Sequence, residues 1–329
     1  MGRGTAGRQL LASSPPLAPS RRRRSNTGDR FFRGLSSASA VTVFVIALIF
    51  VLALFIPALP SITRFGLGFV VSRVWDPVRL HFGALPAIYG TLVTAAIGIL
   101  LAFPIGLGAA LFLAEEGGLR LIRGPLSFAI ELLAAIPSVV IGLWAFFILT
   151  PIMRSTVQPF LEHSLGFLPF FRGNITGYGY LTAGVVLAIM VLPIMTALSR
   201  DVIAAVPRAL REASLALGAT RAETIWSVVL PYTRVGITGA VLLSLGRALG
   251  ETIAVTMVIG NTPNISASLF SLGYTLPSVI ANEFTEAVGK VYQGALFELA
   301  LILVVITIAI NVLARLLTWR FSGADRGFA

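Results

Sequence analysis

Few side chains in this sequence could do chemistry, and two of them stand where an ionisable group is expensive. Arg247 and Glu251 lie four residues apart in the apolar segment GRALGETIAV, a spacing that puts both on one helix face. A guanidinium stays charged and presents a fork of donors matched to oxyanions. The carboxylate one turn away neutralises it when no anion is present. Charges at this depth belong either to an ion pathway or to ion pairs that hold helices together, and the residue types leave both open. Glu131 is a further acid inside an apolar run. Other chemistries lack their parts. The chain has no cysteine, which removes disulfides, thiolate metal sites and thiol nucleophiles. His81 and His163 fall in separate loops, an arrangement unsuited to a metal cluster. The one Gly-Lys pair, Gly289 and Lys290, has Phe284 where a nucleotide-binding loop needs its first glycine and Val291 where it needs Ser or Thr. No nucleophile and base stand together either, so no catalytic or metal-binding residue is assigned.

The elements that must position these residues are membrane helices. Of 329 residues, 56% are hydrophobic and 12% charged, and the mean hydropathy is +0.90, against roughly 25% charged residues in a soluble domain. The fold class is therefore an all-α polytopic membrane protein. Apolar runs of spanning length, about 20 residues, occur at roughly 38–59, 85–113, 125–150, 178–199, 234–258 and 294–318. Six spans put both termini on one side. Arginine clusters in the N-terminal tail, at Arg120 and Arg123, in a central loop with Arg200, Arg208, Arg211, Arg221 and Arg234, and at Arg315, Arg320 and Arg326. The opposite loops hold Arg64, Arg73, Arg79, Arg154, Arg172 and Lys290. By the positive-inside rule both termini are expected in the cytoplasm. The net charge of +11 thus reads as topology signal and contact with anionic lipid, not as nucleic-acid binding.

Residues 1–38, rich in Arg, Ser, Pro and Gly, are expected to form a disordered cytoplasmic tail. The apolar run after them is read as an uncleaved first helix, not as a signal peptide. Pro104, Pro137 and Pro193 are expected to bend their spans, because each frees a backbone carbonyl. Gly98, Ala102 and Gly106, and likewise Gly246 and Gly250, permit close helix approach. The loop of residues 259–293 contains TLPSVIANEFTEAVGKV, whose apolar spacing predicts a short amphipathic helix on the outer surface. In the central loop, Pro207 suits the start of a helix through Glu212 to Leu217, closed by Gly218. Thr220 and Glu223 form a capping box that opens a second helix, expected to end at Pro231.

This loop resembles the cytoplasmic EAA motif of permease subunits in ATP-binding cassette importers. Glu212, Ala213, Gly218, Leu230 and Pro231 match in register; Ser214 replaces the third alanine and Val228 the usual isoleucine. GRALGETIAVTMVIGN, AAIPSVVIGLW and TLPSVIANEF extend the likeness to PstC-type permeases of phosphate-specific importers. The resemblance implies a type I, MetI-like permease over residues 39–329, with loop 201–233 seated on an ATPase. It implies a prokaryotic inner-membrane location and import of inorganic phosphate, with no cofactor in this chain and ATP and Mg bound by the partner. Implied partners are a second, PstA-type permease, an ATPase homodimer and an extracytoplasmic phosphate-binding protein. Arg247 is then expected to contact the passing anion, with Glu251 setting its availability and Glu131 further along the pathway. A sulfate or molybdate permease, or a channel or carrier working unaided, are the competing readings, and the second gives no reason for the capped loop.

Overall fold

The computed structural model describes residues 27–115 and 120–323, with side chains over 30–115 and 121–316. Six of its helices are long and apolar enough to cross a membrane. The chain divides into two compact units between Val51 and Leu52. In the N-terminal unit, the described residues are the beginning of helix α1 (Thr27–Phe65). The helix starts within the expected disordered tail, so residues 27–38 are a correction; residues 1–26 lie outside the described residues. The stretch from Phe31 to Ala40 contains no proline, and the helix propagates back through it in spite of Gly34. Phe31, Val43 and Phe44 are all exposed, as lipid-facing side chains are.

The larger unit is built around α2 (Leu85–Ala114) and α5 (Tyr180–Ala204). A side chain at Gly98 would come within 2.9 Å of Leu187, and one at Gly106 within 2.8 Å of Met195. The small residues therefore let two backbones meet, which is how membrane helices gain packing energy without a hydrophobic drive. Tyr180, Val186, Val191 and Met195 are fully buried there. Pro104 and Pro193 lie inside these helices without breaking them.

Pro137 does break its span. Residues 120–135 form α3 (Arg120–Ala135), an amphipathic helix, and the chain restarts as α4 (Ser138–Leu165). Pro137 itself is extended, with ψ 140°, the geometry that proline and its neighbours favour outside helices. The apolar run 125–150 therefore straddles a discontinuity, and the candidate span is Ser138–Leu165. Two π-helical turns, Ala145–Leu149 and Met153–Val157, are set within α4.

Helices α6 (Arg208–Ala216) and α7 (Arg221–Gly250) follow α5. Pro231 does not end the second helix of the loop. A π-helical turn at Ile225–Val229 precedes it, the Leu230 N–H reaching back to the Ile225 carbonyl, and this widened turn accommodates the missing N–H of Pro231. The second arm of the capped hairpin and the fifth span are thus one continuous helix. α7 stops at Gly250, and α8 (Ile253–Ile259) resumes after Glu251 and Thr252.

The loop beyond α8 carries α9 (Leu276–Glu283), which leads to α10 (Lys290–Gly323). The helix is present, but it does not simply lie on a surface. Leu276, Pro277, Ser278 and Val279 are buried, and the Leu276 N–H donates to Thr91 Oγ1 of α2 at 2.8 Å. Its last residue, Glu283, accepts from Trp75 Nε1 at 2.7 Å, Tyr292 Oη at 2.7 Å and Tyr274 Oη at 3.1 Å. Burial, reinforced by the Glu283 charge, pushes the Tyr274 hydroxyl above its ordinary pKa and keeps it a donor.

Candidate functional site

Arg247 and Glu251 meet at the break between α7 and α8. Arg247 occupies the last turn of α7, and Glu251 is its extended C-cap residue, with φ −71° and ψ 126°. The two do not share one uninterrupted helix, as their spacing suggests, yet they still form an ion pair of 3.8 Å. Their exposures differ sharply: the Arg247 side chain is 45% exposed and that of Glu251 8%. The acid is thus embedded among neighbours while the guanidinium presents its free donors outward. At this separation the attraction is partial, and three or more of the five N–H groups remain for another acceptor.

Packing fixes the depth of the pair. Helix α7 starts at Arg221, not near residue 234, so distance from its start is no guide. Gly236 packs on Val202 near the hairpin end of α5, and Arg247 lies about 17 Å further along α7 at 1.5 Å per residue. α5 and α7 are antiparallel, so Arg247 stands level with the middle of α5. Beyond the break, Gly142 of α4 fits against Ala254 Cα of α8. The two post-break segments therefore pack together, one after Pro137 and one after Glu251. Irregular backbone at membrane depth is tolerated only where protein buries it or water lines it, and paired discontinuous helices are a recurring way to build a site near the midplane.

Glu131 is elsewhere. It lies on α3, outside the candidate spans, and is exposed, not buried in the third span. Ser127 Oγ donates to it at 3.2 Å and in turn accepts from Arg200 Nη1 at 3.3 Å, which puts it near the hairpin end of α5. The structure does not bring it to the Arg247–Glu251 pair.

The hairpin has the geometry its residues specify. Pro207 is the N-cap residue of α6, just before the first helical turn. Gly218 makes the turn with φ +91°, a conformation that favours glycine. Thr220 Oγ1 accepts from the Glu223 N–H while Glu223 Oε2 accepts from the Thr220 N–H. Glu212, Ala213 and Gly218 are exposed on α6 and its turn, whereas Ser214 is half-buried, its hydroxyl 3.0 Å from Thr224 Oγ1. Val228 and Leu230 are half-buried and Pro231 is exposed at the start of the fifth span. A cavity of about 390 Å³ opens here, lined by Glu115, Arg208, Arg211, Glu212, Arg221 and Thr224.

Three further residues stand out in the structure, two of them without a signal in the sequence. Arg211, a topology marker in the sequence, donates to the carbonyls of Ile203 at 2.8 Å and Val206 at 2.9 Å and pairs with Glu115 at 3.1 Å. It ties α6 to the end of α5 and to the end of α2. Arg154 lines a cavity at the far end of α4. Glu298 is buried in α10, and its Oε2 makes no hydrogen bond among the described residues; a lone acid in the run FELALILVVI was the signal for it.

Comparison with known proteins agrees with this architecture. Residues 102–323 match the family described as binding-protein-dependent transport system inner membrane component. A protein of Mesorhizobium japonicum named phosphate transport system permease protein PstC is 45% identical over 302 residues, covering 91% of this chain and 92% of its own. One of the same name from Haemophilus influenzae is 44% identical, covering 88% and 92%. Among solved structures, a bacterial alginate ABC transporter in complex with an alginate pentasaccharide-bound periplasmic protein aligns with TM-score 0.60 at 16% identity, over 90% of this chain and 98% of that one. The MetNI methionine ABC transporter in an inward-facing conformation aligns with TM-score 0.53 at 18% identity, over 75% and 99%. These two likenesses bear on the fold, which is that of MetI-like permeases. The chain belongs to the binding-protein-dependent transport system inner membrane components, and within them to the PstC-type permeases.

Proposed function

We propose that this chain conducts inorganic phosphate across the inner membrane as one permease subunit of an ATP-driven importer. The observation that carries the reading is the mid-depth guanidinium of Arg247, held at a helix break by a buried carboxylate and open on its other side. An anion at that level loses most of its hydration, and a fixed cation with unused donors lowers the barrier. Glu251 keeps the cation balanced between passages. The names of the relatives supply the substrate.

The hairpin end faces the cytoplasm in this reading, with both termini on the same side, and the capped helix α6 docks on an ATPase homodimer that binds ATP and Mg. A second, PstA-type permease completes the pathway. The α7 face bearing Leu243, Gly246, Arg247 and Gly250 is suited to it: side chains added at Gly246 and Gly250 would meet nothing within 4 Å, and Leu243 is 62% exposed. An extracytoplasmic phosphate-binding protein delivers the anion at the α4–α9 end. Glu131 is assigned to the cytoplasmic exit, beside Arg200, where it limits re-entry of anions.

The test is radiolabelled phosphate uptake in cells that depend on this importer. Arg247→Gln, assembled at normal levels, is expected to lose at least nine-tenths of uptake. Uptake near the unaltered level removes Arg247 from the pathway. Competition by sulfate or molybdate as strong as by phosphate would redirect the assignment to another oxyanion.

A further inference from the structure

We propose that the far end of α4 carries a second oxyanion site, centred on Arg154, that recognises a phosphoryl group before it reaches Arg247. The proposal rests on the reading of the chain as a phosphate permease. Arg154 lies about 18 Å further along α4 than Gly142, on the side of the break away from the hairpin. It lines a cavity of about 360 Å³ together with Ser155, Thr176, Tyr178, Thr150 and Phe146. A water's share of liquid volume is about 30 Å³, so the space holds a tetrahedral oxyanion with part of its hydration shell.

The local backbone is built to produce this grouping. Arg154 and Ser155 belong to the π-helical turn Met153–Val157, and such turns occur frequently at functional sites, where they re-aim side chains. The opposite wall is the loop before α5, pressed against α4 at Gly177. That residue has φ +83°, and a Cβ there would fall 2.4 Å from the Thr150 carbonyl oxygen and 2.9 Å from Arg154 Cβ. Only glycine allows this approach. Its N–H donates at 2.9 Å to Oε1 of Gln158, a fully buried side chain, and its carbonyl accepts from Thr182 Oγ1 at 2.6 Å. Thr176 and Tyr178 on either side of Gly177 are thereby held beside Arg154.

The cation itself is uncommitted. Arg154 makes no ion pair and no hydrogen bond among the described residues, whereas Arg79, Arg200, Arg211 and Arg247 each have a carboxylate within 4 Å. Second to the guanidinium come the hydroxyls of Ser155 and Tyr178, which offer donors, while that of Thr176 donates to the Tyr178 carbonyl oxygen at 3.3 Å and accepts from its N–H at 3.2 Å, bracing the wall; Phe146 and Tyr178 add an aromatic side, their rings 5.9 Å apart. This wall lowers the local dielectric. Gln158 Nε2, buried and without a partner among the described residues, lies behind the same loop. A guanidinium fork with hydroxyl donors on an aromatic wall is chemistry for phosphoryl oxygens, whether they belong to free phosphate or to a lipid headgroup.

The experiment uses the assembled importer in nanodiscs without binding protein, comparing the unaltered chain with Arg154→Gln and Arg154→Lys. Inorganic phosphate is titrated in discs of phosphatidylcholine alone, and phosphatidylglycerol is added in a parallel series. A free-phosphate site predicts that phosphate affinity falls at least tenfold in Arg154→Gln and less in Arg154→Lys, in phosphatidylcholine discs. A headgroup site predicts instead that stabilisation by phosphatidylglycerol is lost in Arg154→Gln while phosphate affinity is unchanged. If both titrations match those of the unaltered chain, the proposal is wrong. Uptake by Arg247→Gln, measured separately in cells, distinguishes the two readings: loss of uptake there with no effect at Arg154 in the discs overturns this site alone, whereas normal uptake by Arg247→Gln overturns the pathway reading as well.

Discussion

At the scale of single residues, the Arg247–Glu251 pair makes a prediction that a purely structural ion pair does not. Removing the carboxylate charge with Glu251→Gln leaves an unneutralised cation, so phosphate is expected to bind more tightly and leave more slowly. Half-saturation should move to lower concentration and maximal uptake should fall severalfold, the pattern of a lost release step. A structural pair predicts lower assembly with unchanged kinetics in the complexes that form, and uptake measured per assembled importer distinguishes them. The identities of these two residues were legible in the sequence because charge inside an apolar run is conspicuous. Their geometry was not: helical spacing implied a continuous helix, and only tertiary packing of α8 on α4 shows that the backbone breaks between Gly250 and Ile253. The position of Glu131 is illegible for the same reason. Hydropathy merged α3 and α4 into a single span, and the break at Pro137 moves the acid out of it.

At the scale of elements, Arg211 is where coupling is most exposed to a single change. It fastens α6 to two carbonyls at the end of α5 and to Glu115 at the end of α2, so Arg211→Met is expected to free the docking helix from both. ATP hydrolysis by the assembled complex should persist while phosphate moved per ATP falls at least fivefold; a parallel fall in both would mean a general loss of assembly. The α2–α5 interface predicts a stability effect of another kind. A Cβ at Gly184 would fall 2.4 Å from Ile97 Cγ2, so Gly184→Val overpacks a buried contact and should cost about 1–3 kcal/mol, seen as earlier thermal unfolding in detergent. The hairpin shows how much local sequence can specify. The capping box at Thr220 and Glu223 and the glycine turn at 218 depend on neighbours in sequence and appear as their residue types dictate. Pro231 looks like a stop because proline ends most helices; the π-helical turn before it shifts the register, and that turn has no sequence signature. Pro104, Pro137 and Pro193 likewise look alike in sequence, and only the second ends a helix.

At the scale of the whole molecule, the proposed orientation places Leu217 in the cytoplasm and Val78 outside. Both are highly exposed, at 90% and 93%, and the absence of native cysteine makes each a clean labelling position. In intact cells a membrane-impermeant thiol reagent should modify Val78→Cys and spare Leu217→Cys until the membrane is opened; the reverse pattern inverts the topology. The six-span count was legible from composition, since hydropathy needs no knowledge of partners. Which helix faces are covered by a neighbouring subunit is not written in hydropathy, because a lipid-facing and a subunit-facing residue are equally apolar.

Helix α7 runs unbroken from the capped hairpin to the residue beside Glu251, a rod of about 45 Å at helical rise. In the proposed importer, a torque applied at one end therefore arrives at the guanidinium without passing through any loop. The clock that times anion discharge and the motor that drives it would be a single object, and the compliant turn at Ile225–Val229 is its only joint. Leakage between strokes should then depend on the stiffness of that joint, so shortening the turn by one residue would be felt as slippage before it is felt as weaker binding.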